Sequence, residues 1–168
     1  MIIRAGDARF DVDAVIFDKD GTLFDFNATW GAWARGMLEA ETKDVPHMFD
    51  VLADALGYDS DANRFRAGSI VIAATAGEVA DRIVSVLPAL ERQALLGRMN
   101  TAAAMVPQQE ALPLEPYFSA LSASGFKLGL ATNDAEAPAR AHLEKAGIIS
   151  LFDFVAGYDS GHGGKPAP

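Results

Sequence analysis

Residues 14–25 read AVIFDKDGTLFD, and no other stretch limits the fold as strongly. Four apolar residues in a row suit a strand of a parallel sheet, covered on both faces. The run ends in Asp18 and Asp20, with Lys19 between them and Gly21 after. Side chains alternate along a strand, so the two carboxylates point to one side while Lys19 points away. Like charges on one side repel unless a cation or a reaction requires them. The stretch therefore predicts a strand whose carboxyl end carries chemistry.

Two further apolar runs, residues 126–131 (FKLGLA) and 152–156 (FDFVA), read as strands. Between them, DAEAPARAHLEKAGI predicts a helix with Asp134 as N-cap, Pro138 in the first turn, Leu143 and Ala146 on one face, and Gly147 as its stop. Ahead of the second strand, PLEPYFSALSASG predicts a helix with Tyr117, Phe118 and Leu121 inward and Gly125 at its end. Helices alternating with strands over short joints specify β-α-β units and an α/β fold.

Residues 26–112 read differently. TWGAWARGMLEAE, PHMFDVLADALG, AGEVADRIVSVL and ALERQALLGRMNTAAAM are helical in pattern, while SIVIAAT fits either a helix or a short strand. A helical insertion (26–112) thus divides an α/β core formed by residues 1–25 and 113–168.

Composition narrows the function. The net charge of -9 disfavours nucleic acid and anionic membrane as partners, because both need cationic patches. The absence of cysteine excludes disulfides and thiolate metal sites. The apolar stretches are too short to span a bilayer, and the first residues carry charges where a leader needs an apolar core. The expectation is a soluble, cytoplasmic protein.

Ligands of open parallel sheets bind at the carboxyl ends of the strands. There the sequence puts Asp18 and Asp20, then Thr132 and Asn133 ahead of a helix N-terminus, then Lys165 in the loop GYDSGHGGKPAP. If the strands are neighbours, these groups form a carboxylate pair, an anion cradle and a point cation. In this order DKDGTL, LATN and GGKPAP resemble the three successive motifs of the haloacid dehalogenase-like hydrolase superfamily. The large insertion between the first two is similar to the helical cap of its phosphoglycolate phosphatase-like members.

The resemblance implies a Rossmann-like parallel sheet with an inserted helical cap. It also implies a Mg²⁺-dependent phosphomonoesterase acting on a small phosphorylated metabolite, with phosphoglycolate the leading candidate. Asp18 would be the nucleophile and a metal ligand. Asp20 would be the acid and base, its backbone carbonyl also binding Mg²⁺. Thr132 and Asn133 would hold the phosphoryl oxygens, and Lys165 would stabilise both these and Asp18. Two other readings stay open: a catalytically deficient fragment or phosphate-binding module of a longer protein, and a phosphomutase.

Rival chemistries fit less well. A calcium loop beginning at Asp18 needs glycine and glutamate where Leu23 and Thr29 stand. The family's dehalogenases lack the second acid, and its phosphonatases need a cap lysine. The only cap lysine, Lys43, sits in the polar run ETKD. His47, His142 and His162 read as non-catalytic, with His142 on an exposed face beside Arg140. Trp30 and Trp33 read as cap core. Arg66 and Ser69, in NRFRAGS, are the cap residues expected to touch substrate. Family members continue to a fourth, acidic motif, whereas this sequence ends at Pro168. The expected consequence is an exposed edge on the first strand, covered by a second copy or by further chain.

Overall fold

The computed structural model describes residues 1–167. Its centre is a parallel sheet of β3 (Ala14–Phe17), β6 (Lys127–Ala131) and β7 (Phe154–Ala156), in the order β3-β6-β7. Ala14 pairs with Lys127 and Phe17 with Leu130, and Gly129 then pairs with Phe154 and Ala131 with Ala156. Helix α5 (Leu114–Ala123) leads into β6, and α6 (Glu136–Lys145) crosses from β6 to β7. The central strand is the most deeply buried, with Leu128 and Leu130 at 1% and 0% exposure. Phe118, Leu143, Ile148 and Val155 pack around them.

The first strand is an exposed edge, as expected, and among the described residues it is not covered on both faces. β3 lies at the sheet edge and Ile16 is 68% exposed. Tyr117 is also exposed; Phe118 is the side chain that α5 buries, while Leu121 is half-buried. Ahead of the sheet stands a hairpin absent from the sequence reading, β1 (Ile2–Ala5) with β2 (Ala8–Asp11). Its two-residue turn is Gly6-Asp7, with Gly6 at φ 59°. That dipeptide between two strand-like runs was a readable hairpin signal.

The chain leaves the sheet through Leu23, Phe24 and Asp25 and returns through residues 109–111. The two segments are stitched together by Asp25 N–H on Gln109 O at 2.8 Å and Ala111 N–H on Leu23 O at 2.9 Å. Between them lie α1 (Phe26–Glu41), α2 (Phe49–Leu56), the short pair β4 (Tyr58–Asp59) and β5 (Arg64–Phe65), α3 (Ala76–Val86) and α4 (Arg92–Met105). The ambiguous SIVIAAT forms a 3-10 turn at Ile70–Ile72, started by Ser69.

Local signals set these boundaries. Asp25 caps α1 through Ala28 N–H at 2.8 Å, and Thr75 and Glu78 form a reciprocal capping box on α3. The cap has its own apolar cluster, in which Leu38, Leu52, Ile83 and Leu95 are fully buried. It is joined to the core where α6 lies against α4: His142 Nε2 meets Ala103 O at 2.8 Å, and Lys145 Nζ meets Ala104 O at 2.7 Å.

Candidate active site

A cavity of about 300 Å³ opens between the carboxyl edge of the sheet and the helical cap. Asp18, Asp20, Thr132, Asn133 and Lys165 all line it, so the structure brings together the five core residues singled out by sequence. It does not bring Arg66 and Ser69 there. Arg66 is exposed and paired with Asp54 at 2.8 Å. Ser69 is buried, donates to Leu56 O at 2.6 Å and caps the 3-10 turn. Polarity and loop position pointed to them, but local structure already uses both side chains.

Asp18 follows β3 directly. Its Oδ1 accepts from the Lys19 N–H at 2.7 Å and lies 2.6 Å from Lys165 Nζ. Oδ2 has no partner among the described residues. Asn133 fixes the lysine loop. Its Oδ1 accepts from Lys165 N–H at 2.6 Å, while its Nδ2 donates to Lys165 O at 3.2 Å and to the cap carbonyl of Ala73 at 2.7 Å. Close approach here requires Gly164, since a Cβ at that position would collide with the Thr75 methyl of the cap. Thr132 is buried, and its Oγ1 accepts from Asp134 N–H at 3.2 Å.

Lys19, expected to point away from both carboxylates, instead turns its ammonium onto Asp20. It is fully buried, and its ammonium faces Asp20 Oδ1 at 2.8 Å, Asp134 Oδ2 at 2.9 Å and His142 Nδ1 at 3.2 Å. An ammonium has three donors, and three partners surround it. Burial pulls the Lys19 pKa down, but the charges of Asp134 and Asp20 outweigh it and leave the group above its ordinary value. Asp134 is therefore corrected from helix cap to ion-pair partner. The start of α6 is served by Asp159, whose Oδ1 accepts the Glu136 N–H at 2.8 Å. Burial, against the pull of Lys19, raises the Asp134 pKa to about 6, and its contact with Lys19 lies outside hydrogen-bond geometry.

His142 is likewise corrected from exposed to fully buried. The carbonyl of Ala103 can only accept, so Nε2 carries the proton and bare Nδ1 accepts from Lys19. Burial first, and the Lys19 charge second, lower its pKa from 6.5 to about 4. The sign follows from that depression. The unfolded chain binds a proton that the folded chain refuses, so the contribution is whole above about pH 6.5 and is lost as pH falls through about 4. Relative to His142→Gln, the wild-type chain should lose roughly 2 to 3 kcal/mol more stability between pH 7 and 4. Urea unfolding at stepped pH reads this difference. Asp134 acts oppositely, its contribution whole below its unfolded value and lost as pH rises through about 6, in both proteins alike.

Trp30 and Trp33 belong to the cap core, as expected, but both also line the cavity. The Trp30 indole N–H donates to Asp20 Oδ1 at 2.8 Å, so the cap helps hold a core carboxylate. The Trp33 indole nitrogen is buried without a partner.

An open parallel sheet with carboxylates, a hydroxyl and a lysine gathered at its carboxyl edge, roofed by helices, defines a capped α/β fold with a candidate site at that edge. The model of the haloacid dehalogenase-like hydrolase family matches residues 12–168, and the chain belongs to that family. Solved structures repeat its fold. The match to a "predicted phosphoglycolate phosphatase" of Haemophilus somnus 129PT has a TM-score of 0.57 at 19% identity, covering 92% of this chain and 66% of that one. For L-2-haloacid dehalogenase of Xanthobacter autotrophicus the values are 0.50 and 19%, covering 93% and 60%. For YfnB of Bacillus subtilis, solved bound to magnesium, they are 0.51 and 18%, covering 86% and 64%. The chain thus spans 60% to 66% of the length of these structures. No curated protein matches the sequence significantly. Among the described residues, no helix is long and apolar enough to cross a membrane.

Proposed function

We propose that the chain is a Mg²⁺-dependent phosphomonoester hydrolase working through an aspartyl-phosphate on Asp18. The observation that carries this reading is the second carboxylate, Asp20, lining the same cavity as an Asp18 held by Lys165. A dehalogenase of this family has no use for that second acid.

The residues present suit Mg²⁺. The bridge between Asp20 and Phe24 uses the Lys19 carbonyl and the Gly21 N–H, which leaves the Asp20 carbonyl unpartnered among the described residues. Together with the Asp18 carboxylate it offers two hard oxygen ligands. Among the described residues no group of three metal-binding side chains forms, and Mg²⁺ commonly takes one or two carboxylates, with phosphate and water completing the shell. When bound, the ion supplies charge that screens Asp18 from the phosphoryl group.

In the proposed reaction, a carboxylate oxygen of Asp18 attacks phosphorus and the bond to the ester oxygen breaks. Asp20 gives its proton to that departing oxygen. Lys165 and the Thr132–Asn133 loop hold the phosphoryl oxygens as charge shifts onto them. Asp20, now ionised, takes a proton from water as that water attacks the aspartyl-phosphate, releasing inorganic phosphate and restoring Asp18.

Hydrolysis of an aryl phosphate with Mg²⁺, and again after chelation, tests the reading. Chelation should remove at least about 90% of the rate, since the shielding is lost at the chemical step. An unchanged rate would overturn the metal requirement, and no hydrolysis of any monophosphate would overturn the assignment.

A further inference from the structure

The phosphatase reading leaves the organic part of the substrate open, and the cap wall of the cavity bears on it. Phe26, Trp30, Trp33, Ile72, Val79 and Met99 are among its apolar side chains, with Asn100 as a neutral polar neighbour. Among the described residues, Lys165 is the only cation in the lining, and Asp18 already holds it at 2.6 Å. Three carboxylates, Asp18, Asp20 and Asp134, share the lining. Helix α3 reaches the cavity at Ala76, but the positive end of its dipole is already met by its own Glu78 carboxylate, 2.7 Å from the Thr75 N–H.

Resting on that reading, we infer that the site takes monophosphate esters with a neutral, mainly apolar organic group and discriminates against esters bearing a second carboxylate, phosphoglycolate among them. A carboxylate against this wall gives up hydration with no free cation to replace it, since Lys165 already faces Asp18. An apolar ring instead leaves water for aromatic faces and a thioether. A cavity of about 300 Å³ holds a phosphoryl group and one small organic group, not an extended chain.

Binding of two non-hydrolysable probes tests this without turnover. Benzylphosphonate and 3-phosphonopropionate are titrated calorimetrically into the chain with Mg²⁺, each in competition with inorganic phosphate. Benzylphosphonate should bind at least about tenfold tighter. Ile72, 49% exposed at the rim, tolerates a long side chain, so Ile72→Arg should narrow or reverse that preference by a similar factor. Equal or tighter binding of the carboxylate probe by the wild-type chain, displaced by inorganic phosphate, would overturn the inference while leaving the phosphatase reading intact. Failure of both probes and of phosphate itself to bind would overturn that reading, and the inference with it.

Discussion

Asp18→Asn removes turnover, lowering kcat by on the order of 10⁴-fold or more, as expected when the attacking group itself is lost. The change is nearly isosteric. The amide that replaces the carboxylate keeps an oxygen for the Lys19 N–H and gives up only the charge facing Lys165. Asp18 is 49% exposed, so its ion pair with Lys165 should contribute within about 1 kcal/mol to stability. The variant should therefore unfold in urea near the wild-type midpoint while failing to hydrolyse phosphate esters. Retained activity would remove Asp18 from the reaction.

Lys19→Met tests a different part of the structure and should be the most destabilising single change near the site. Methionine matches the length of the stem but leaves Asp134 buried without its countercharge and His142 Nδ1 without a donor. Breaking a buried pair in this way costs about 3–5 kcal/mol. Adding Asp134→Asn should recover at least about 1 kcal/mol, because the stranded charge is then gone. Urea unfolding of the two variants and the wild-type chain measures both terms. A single-variant loss below about 1 kcal/mol would show that Lys19 does not hold this cluster together.

How far each signal reaches along the chain decides what the sequence makes legible. The strand at residues 14–17, the helix following residue 134 and the joints between them are local matters of apolar runs, prolines and glycines. Those elements stand where their residues place them. Asp18, Asp20, Thr132, Asn133 and Lys165 were readable because each sits at a strand end or in the loop beyond one. Parallel pairing of β3, β6 and β7 then sets those ends side by side.

What sequence concealed depends on partners far away in the chain. Lys19 meets His142 across 123 positions, and neither is unusual within its own segment. Alternation stops applying beyond Phe17, where β3 ends, and Lys19 turns onto Asp20. A fully buried ammonium needs anions, and the sequence did not reveal that Asp134 would serve as one rather than as a cap. Trp30 looked like core because it is core; its N–H reaches Asp20 only because the cap folds back over the sheet. Arg66 and Ser69 misled in the opposite sense, being polar for reasons local to their own loop.

The central claim is covalent chemistry at Asp18, and the most direct measurement is to trap the intermediate. The chain is mixed with Mg²⁺ and a phosphate monoester, quenched in acid during turnover and mapped by peptide mass spectrometry. One added phosphoryl group is expected on the peptide containing Asp18, absent from Asp18→Asn. Steady turnover with that peptide unmodified, or with the phosphoryl group on another residue, would contradict it.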